Sequence, residues 1–234
     1  MKKIAYIIIC LGFPIFALDE IENKLQSMLP QGVALNFYED SEIKDFYVLN
    51  VANNQIVYIS KDFKYIFAGE VIKSSSDGLE SVNELYKRKL ILNLLSEVPE
   101  NELIKFISEN EKYLIHIFTD VTCAYCRIFH SEIEDYLAKG ISVAYLAFPR
   151  DGTEGDSAKN MEYAWCSPDR NTAITKLKFG EDIDEYDCQN PVNKHYEIGR
   201  MIGITGTPSI ILSNGQMLSG YIPAEDLFKI IENG

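Results

Sequence analysis

Along the first half of the chain the spacing of apolar positions changes three times. An unbroken apolar run, Ile4 to Leu11, follows the basic start Met1-Lys2-Lys3 and stops at Gly12-Phe13-Pro14. Ile21, Leu25, Met28 and Leu29 then recur at helical spacing as far as Pro30-Gln31-Gly32, which predicts a short amphipathic helix over 19–29. From Val33 to Ile72 the period shortens. Segments 43–51, 55–60 and 65–72 are rich in β-branched and aromatic residues and are divided by Asn53-Asn54 and Lys61-Asp62, so they read as a small antiparallel sheet. One helix and about forty residues of sheet bury little apolar surface and are marginal alone. Dimerisation would repair that.

Ser74-Ser75-Ser76-Asp77-Gly78 is a polar break. Leu79, Val82, Leu85, Tyr86, Lys89 and Leu90 fit one helical face after it, and Leu92, Leu94 and Leu95 add apolar surface up to Val98-Pro99. A helix of about twenty residues would be about 30 Å long. Two readings stand, a linker between domains and a core helix of one larger domain. Beyond it the pattern alternates: strands over 103–107 and 113–118, a helix over 126–139, a strand over 141–148 and a helix over 191–202. Strands over 209–212 and 217–221 flank Ser213-Asn214-Gly215, whose Asn-Gly is a hairpin signal, and a last helix covers 224–232. This order predicts an α/β domain with a mixed sheet and a partly helical insertion over 150–189.

The N-terminus has the basic start, short apolar core and small residue before Asp19-Glu20 of a signal peptide over 1–17, cut near Ala17. The apolar run is too short to cross a bilayer comfortably, although an N-terminal strand or an anchor stays open as an alternative. Cleavage discards Cys10, and losing Lys2 and Lys3 takes the formal charge from −13 to −15. That balance argues against nucleic acid. Four cysteines remain, Cys123, Cys126, Cys166 and Cys188, an even count that favours two disulfides outside the cytoplasm.

Cys123-Ala124-Tyr125-Cys126 follows a predicted strand and opens a predicted helix. A helix N-terminus presents free N–H groups and partial positive charge, which favour the first thiolate and lower its pKa from about 8.5. Cys123 is then the expected nucleophile toward a disulfide, and Cys126, one turn on, the resolving thiol. The same spacing serves zinc ribbons, but Cys166 and Cys188 do not form the second close pair that a ribbon needs. Thr207-Pro208 stands just before an apolar strand, a position open to proline. Base frequencies favour a trans bond there; a cis bond would turn the Thr207 backbone toward an extended substrate segment.

The run Ile117-Phe118-Thr119-Asp120-Val121-Thr122-Cys123-Ala124-Tyr125-Cys126, with His130 after it, resembles the active-site segment of the periplasmic disulfide isomerases of the DsbC/DsbG family. Tyr145 to Arg150, Trp165-Cys166, Gly203 to Pro208 and Leu212-Ser213-Asn214-Gly215 match that family in the same order. The resemblance implies a thioredoxin-like catalytic domain with a helical insertion over 99–234. It also implies a small α+β, cystatin-like dimerisation domain over 18–77 and a linker helix over 78–98. By position, Cys123 would be an exposed nucleophile, Cys126 the resolving cysteine and Pro208 a cis proline, with Tyr125, Thr207 and Pro208 meeting substrate. Cys166 and Cys188 would form a structural disulfide, whose loop is worth about 3 kcal/mol in the chain-entropy model.

The implied activity is rearrangement of wrong disulfides in secreted proteins, with chaperone activity, in a periplasmic homodimer. No cofactor beyond the Cys123–Cys126 pair is implied. The implied partners are misfolded or mis-oxidised secreted proteins and a membrane reductase of the DsbD type. Two other functions compete, a net dithiol oxidase and a holdase chaperone. Ala124-Tyr125 departs from the Gly-Tyr of better-known isomerases, which bears on redox poise. Ile117 stands where thioredoxin has a buried acid. For Asp120 an end cap or exposed acid competes with proton transfer; for His130 a partly exposed helix position is preferred over tuning of the thiolate. His116 and His195 have no catalytic spacing.

Overall fold

A computed structural model of the protein describes residues 15–76 and 78–233. The expected leader therefore lies, with Cys10, mostly outside the described residues. The chain divides into two compact units. One holds the described residues up to Ala52 together with Val57–Gly69, and the other holds Asn53–Ile56 with the chain from Glu70 onward.

In the first unit, helix α1 (Ile15–Met28) is followed by strands β1 (Leu35–Asp40), β2 (Phe46–Val51), β3 (Gln55–Ser60, of which Val57 onward belongs to this unit) and β4 (Ile66–Ala68). The strands pair in the order β1-β2-β3-β4, with β1 antiparallel to β2 and β3 antiparallel to β4. Leu25 of α1 packs against Leu49, Val51 and Ile59 in a small core. Ile21 and Met28, one turn to either side of Leu25, lie against the same core, as the helical spacing requires. β1 is an element that the sequence pattern did not single out, and β2 starts three residues later than expected, after Asp45 at positive φ.

The second unit begins with a two-stranded hairpin, β5 (Ile72–Ser75) and β6 (Gly78–Ser81), in place of the expected polar break. Helix α2 then covers Val82–Ser96, fifteen residues rather than about twenty. Leu79 is not on its apolar face: it sits on β6, largely exposed. The helix starts late because the Ser81 side chain accepts from the Glu84 N–H, capping the first turn at Ser81.

The remaining elements are β7 (Ile104–Phe106), β8 (Tyr113–Thr119), α3 (Ala124–Ser131), α4 (Ile133–Ala138), β9 (Ile141–Ala147), α5 (Asp156–Cys166) and α6 (Arg170–Lys178). After these come α7 (Val192–Met201), β10 (Ser209–Ile211), β11 (Met217–Ser219) and α8 (Ala224–Asn233). The five strands order as β11-β10-β8-β9-β7, with β8 and β9 parallel and the other pairs antiparallel. The expected single helix over 126–139 is two, broken at Glu132.

Alternation along the central strands builds two cores. Ile115, Ile117, Val143, Tyr145 and Ile210 face one side, with Phe129, Trp165 and Ile174 from the helices. Phe118, Ala144, Leu146 and Ile211 face the other, with Ile91, Leu95, Val98 and Ile198. The second half of α2 is thus packed into the same unit as the mixed sheet.

Candidate active site

Strand β8 ends at Thr119, and the chain turns through Asp120, Val121 and Thr122 to Cys123, the N-cap of α3. Ser209 of β10 pairs with Phe118 of β8, so the residues just before β10 arrive beside the end of β8. That register brings Thr207 to Cys123 across eighty-four positions: the Cys123 thiol donates to the Thr207 carbonyl at 3.1 Å. The Thr207–Pro208 bond is cis, against the base frequency. Cys123 and Cys126 are not bonded to each other and are 3% and 1% exposed. The expectation of an exposed nucleophile therefore needs correction, because the Thr207 segment covers the sulfur.

The two thiols are pushed in opposite directions. Cys123 is lowered to about 5, chiefly by a hydrogen bond from Cys126, against the cost of burial and with help from Thr207, the Cys126 backbone and the Arg150 charge. The Thr207 hydroxyl is buried and makes no full hydrogen bond of its own, yet it is close enough to favour the thiolate. Burial is the main reason that Cys126 is raised, and the neighbouring Cys123 adds to it; Lys178, the Thr119 side chain and the Asp120 backbone oppose it. One sulfur is thus favoured as a thiolate and the other is held as a thiol.

Asp120 is neither exposed nor a simple end cap. It is fully buried, and burial alone would raise its pKa. Hydrogen bonds from the Arg150 backbone at 2.9 Å, the Ser157 hydroxyl at 2.7 Å and the Thr122 N–H at 2.7 Å, with an ion pair to Arg150 Nε at 2.9 Å, overcome that and hold it at about 2. Its carboxylate fixes the Arg150 guanidinium, which in turn favours the Cys123 thiolate.

His130 is buried, not partly exposed, because the helical insertion covers it. Its Nδ1 lies 3.1 Å from the Tyr145 hydroxyl and its Nε2 2.9 Å from Thr175 Oγ1. Burial, with Lys178 nearby, lowers its pKa to about 4, so the ring is neutral near pH 7. Burial likewise lowers His195 to about 3, and it sits beside the Trp165 ring. His116 lies on β8, also lowered by burial. Tyr125 is 60% exposed. Cys166 and Cys188 are joined as a disulfide, so neither is free to complete a metal set with Cys123 and Cys126.

Lys178, Thr119 and Arg150 were not singled out from sequence. Lys178 is 2% exposed on α6, with its ammonium nitrogen on Thr119 Oγ1 and on the Asp120 carbonyl at 3.0 Å. Its only sequence signal is spacing, since it stands four positions after buried Ile174 on the apolar face of α6. Among the described residues no helix is long and apolar enough to cross a membrane.

Two family models match the chain: the disulfide bond isomerase protein N-terminal domain over residues 17–82 and the thioredoxin-like domain over 99–234. The thiol:disulfide interchange protein DsbC of Haemophilus influenzae is 34% identical, covering 99% of this chain and 98% of its own. DsbC of Escherichia coli is 36% identical over 182 residues, covering 78% of this chain and 75% of its own. Among solved structures, a disulfide interchange protein from Neisseria gonorrhoeae is 30% identical with a TM-score of 0.52. It covers 58% of this chain and 97% of that one.

Proposed function

From the premise that this chain belongs to the DsbC family of thiol:disulfide interchange proteins, whose N-terminal and thioredoxin-like models it matches, we propose that Cys123 and Cys126 carry its disulfide isomerase activity. The observation that carries this reading is a lone depressed thiol, Cys123, at the start of α3 beside the Thr207 carbonyl, with an unbonded Cys126 behind it.

The Cys123 thiolate attacks one sulfur of a wrong disulfide, forming a mixed disulfide and releasing the other substrate sulfur as a thiolate. That thiolate attacks a second substrate disulfide, and the chain reshuffles until the sulfur on Cys123 is displaced. When reshuffling stalls, Cys126 attacks the Cys123 sulfur, closing the pair and releasing a reduced substrate. A membrane reductase of the DsbD type reopens the pair, and the reaction uses no cofactor beyond it. Tyr125, Thr207 and Pro208 meet the substrate. The Cys166–Cys188 bond is structural.

The proposed setting is the periplasm, after removal of residues 1–17. The proposed domains are 18–77 for dimerisation, 78–98 as linker helix and 99–234 for catalysis, in a homodimer. Misfolded secreted proteins are the substrates. A chaperone role alongside isomerisation draws support from exposed Tyr125 and Ile128 on the helix that carries the thiols.

The test is reactivation of a scrambled, multiply disulfide-bonded substrate by the reduced protein, beside Cys123→Ala and a shortened chain starting at Asn83. The shortened chain keeps Ile91, Leu95 and Val98, which pack against Phe118 and Phe148. Activity lost with Cys123 and sharply reduced on shortening is the expected outcome. Oxidation of reduced substrate only, undiminished by shortening, would replace the isomerase with a monomer-competent oxidase.

A further inference from the structure

Among the described residues, no carboxylate oxygen pairs with the buried Lys178 ammonium. The one buried carboxylate near it, Asp120, turns its oxygens to Arg150, Thr122 and Ser157 and offers Lys178 only its backbone carbonyl. Burying an unpaired ammonium costs several kcal/mol, so a lysine kept in such a place against a reactive pair asks for a chemical reason. Position 117, where an acid would serve the second thiol of a thioredoxin, holds a fully buried isoleucine.

The neighbours supply the reason. Lys178 Nζ is hydrogen-bonded to the Thr119 hydroxyl, and both that hydroxyl and the ammonium lie close enough to the Cys126 sulfur to favour its thiolate. Thr119 is 1% exposed, so bulk water does not reach the relay through it. Building on the assignment of Cys126 as the resolving thiol, we propose that Lys178 is the positioning residue that takes the Cys126 proton, through the Thr119 hydroxyl, when the mixed disulfide is resolved.

The step balances. The Cys126 S–H proton passes to Thr119 Oγ1 as the Thr119 hydroxyl proton passes to the neutral Lys178 amine. The Cys126 thiolate then bonds to the Cys123 sulfur, and the bond from Cys123 to the substrate breaks, its electron pair leaving with the substrate thiolate. Thr119 ends unchanged, Lys178 ends as ammonium, the protein pair is oxidised and the substrate sulfur is reduced.

The groups around the amine suit that role. Burial lowers Lys178 to about 8, opposed by Cys126, Asp120 and Cys123 and aided by Arg127 of α3. Tyr145 of β9 holds its ring 5.7 Å from Nζ, and His130 of α3 is a neutral neighbour. An amine at about 8 is partly neutral near pH 7 and returns its proton readily.

The experiment reacts reduced protein with oxidised glutathione, quenches in acid and resolves by mass the open, glutathione-bound and closed forms across pH. In the wild type, glutathione appears on Cys123, and closure accelerates with pH and levels near 8. Lys178→Met, and separately Thr119→Val, slow closure at pH 7 by roughly 10²-fold, and closure then keeps climbing above pH 8. The first attack by Cys123 changes much less. Closure that keeps its rate and pH profile in both variants overturns the proposal. Absence of the Cys123 adduct in the wild type overturns the assignment of the pair, and the proposal with it. Should Lys178→Met not fold, Thr119→Val alone decides, since it keeps the lysine.

Discussion

The two cysteine pairs of this protein invert the usual expectation about exposure. Cys166 and Cys188 stand partly in solvent and are bonded to each other, whereas Cys123 and Cys126 are buried and unbonded. Exposure therefore does not separate the free pair from the bonded one. What separates them is the surroundings: Cys123 starts a helix, lies against Thr207 and feels the Arg150 charge, while Cys166 ends α5 and meets Cys188 in the segment between α6 and α7. A thiolate is made by hydrogen bonds and charges, which a recessed site concentrates because water does not screen them there.

Breaking each pair gives the sharpest contrast. Cys123→Ala lowers reactivation of scrambled substrate to the uncatalysed rate. Replacing Cys166 and Cys188 together with alanine leaves the activity of the folded protein in place. The same double variant loses about 3 kcal/mol of stability in the chain-entropy model, read by denaturant unfolding without reductant. A double variant that is fully stable but inactive would reverse the roles assigned to the two pairs.

The support beneath the reactive pair comes next in size. Asp120 is depressed in the folded state, so its contribution to stability is complete above the unfolded value of about 3.9 and is lost as pH falls through about 2. Over that window the wild type gives up about 2 kcal/mol that Asp120→Asn never had, which unfolding midpoints at pH 2 and pH 6 measure. Arg150→Met has the smallest effect. It moves the Cys123 titration upward and slows alkylation of Cys123 below the new midpoint, because the Arg150 charge is one of several groups that favour the thiolate.

The contrast between the pairs also marks what sequence can reveal. Cys123-Ala124-Tyr125-Cys126 was readable because its chemistry is local, a strand end and a helix start within a few residues. The near-continuous apolar runs of 113–118 and 141–148 likewise located β8 and β9, since both faces of each strand pack against a core. The hairpin of β5 and β6 was hidden because it is largely exposed and rich in serine, with no alternation to report. Burial of His130 and Cys123 was missed for a different reason. The residues that cover them, Thr175 for one and Thr207 for the other, are forty-five and eighty-four positions away. Lys178 and Arg150 reach the site only through the tertiary fold: Lys178 offers no signal beyond its helical spacing, and Arg150 ends a segment that matched the family without suggesting this role.

The central claim is that its surroundings, not its exposure, make Cys123 the working thiolate. It is tested most directly by the ultraviolet absorbance of the thiolate in the reduced protein as pH is raised, with Cys123→Ala as reference. The account predicts a step centred at about 5 that is absent in Cys123→Ala. A step near the ordinary thiol value of about 8.5, or one that survives the loss of Cys123, would contradict it.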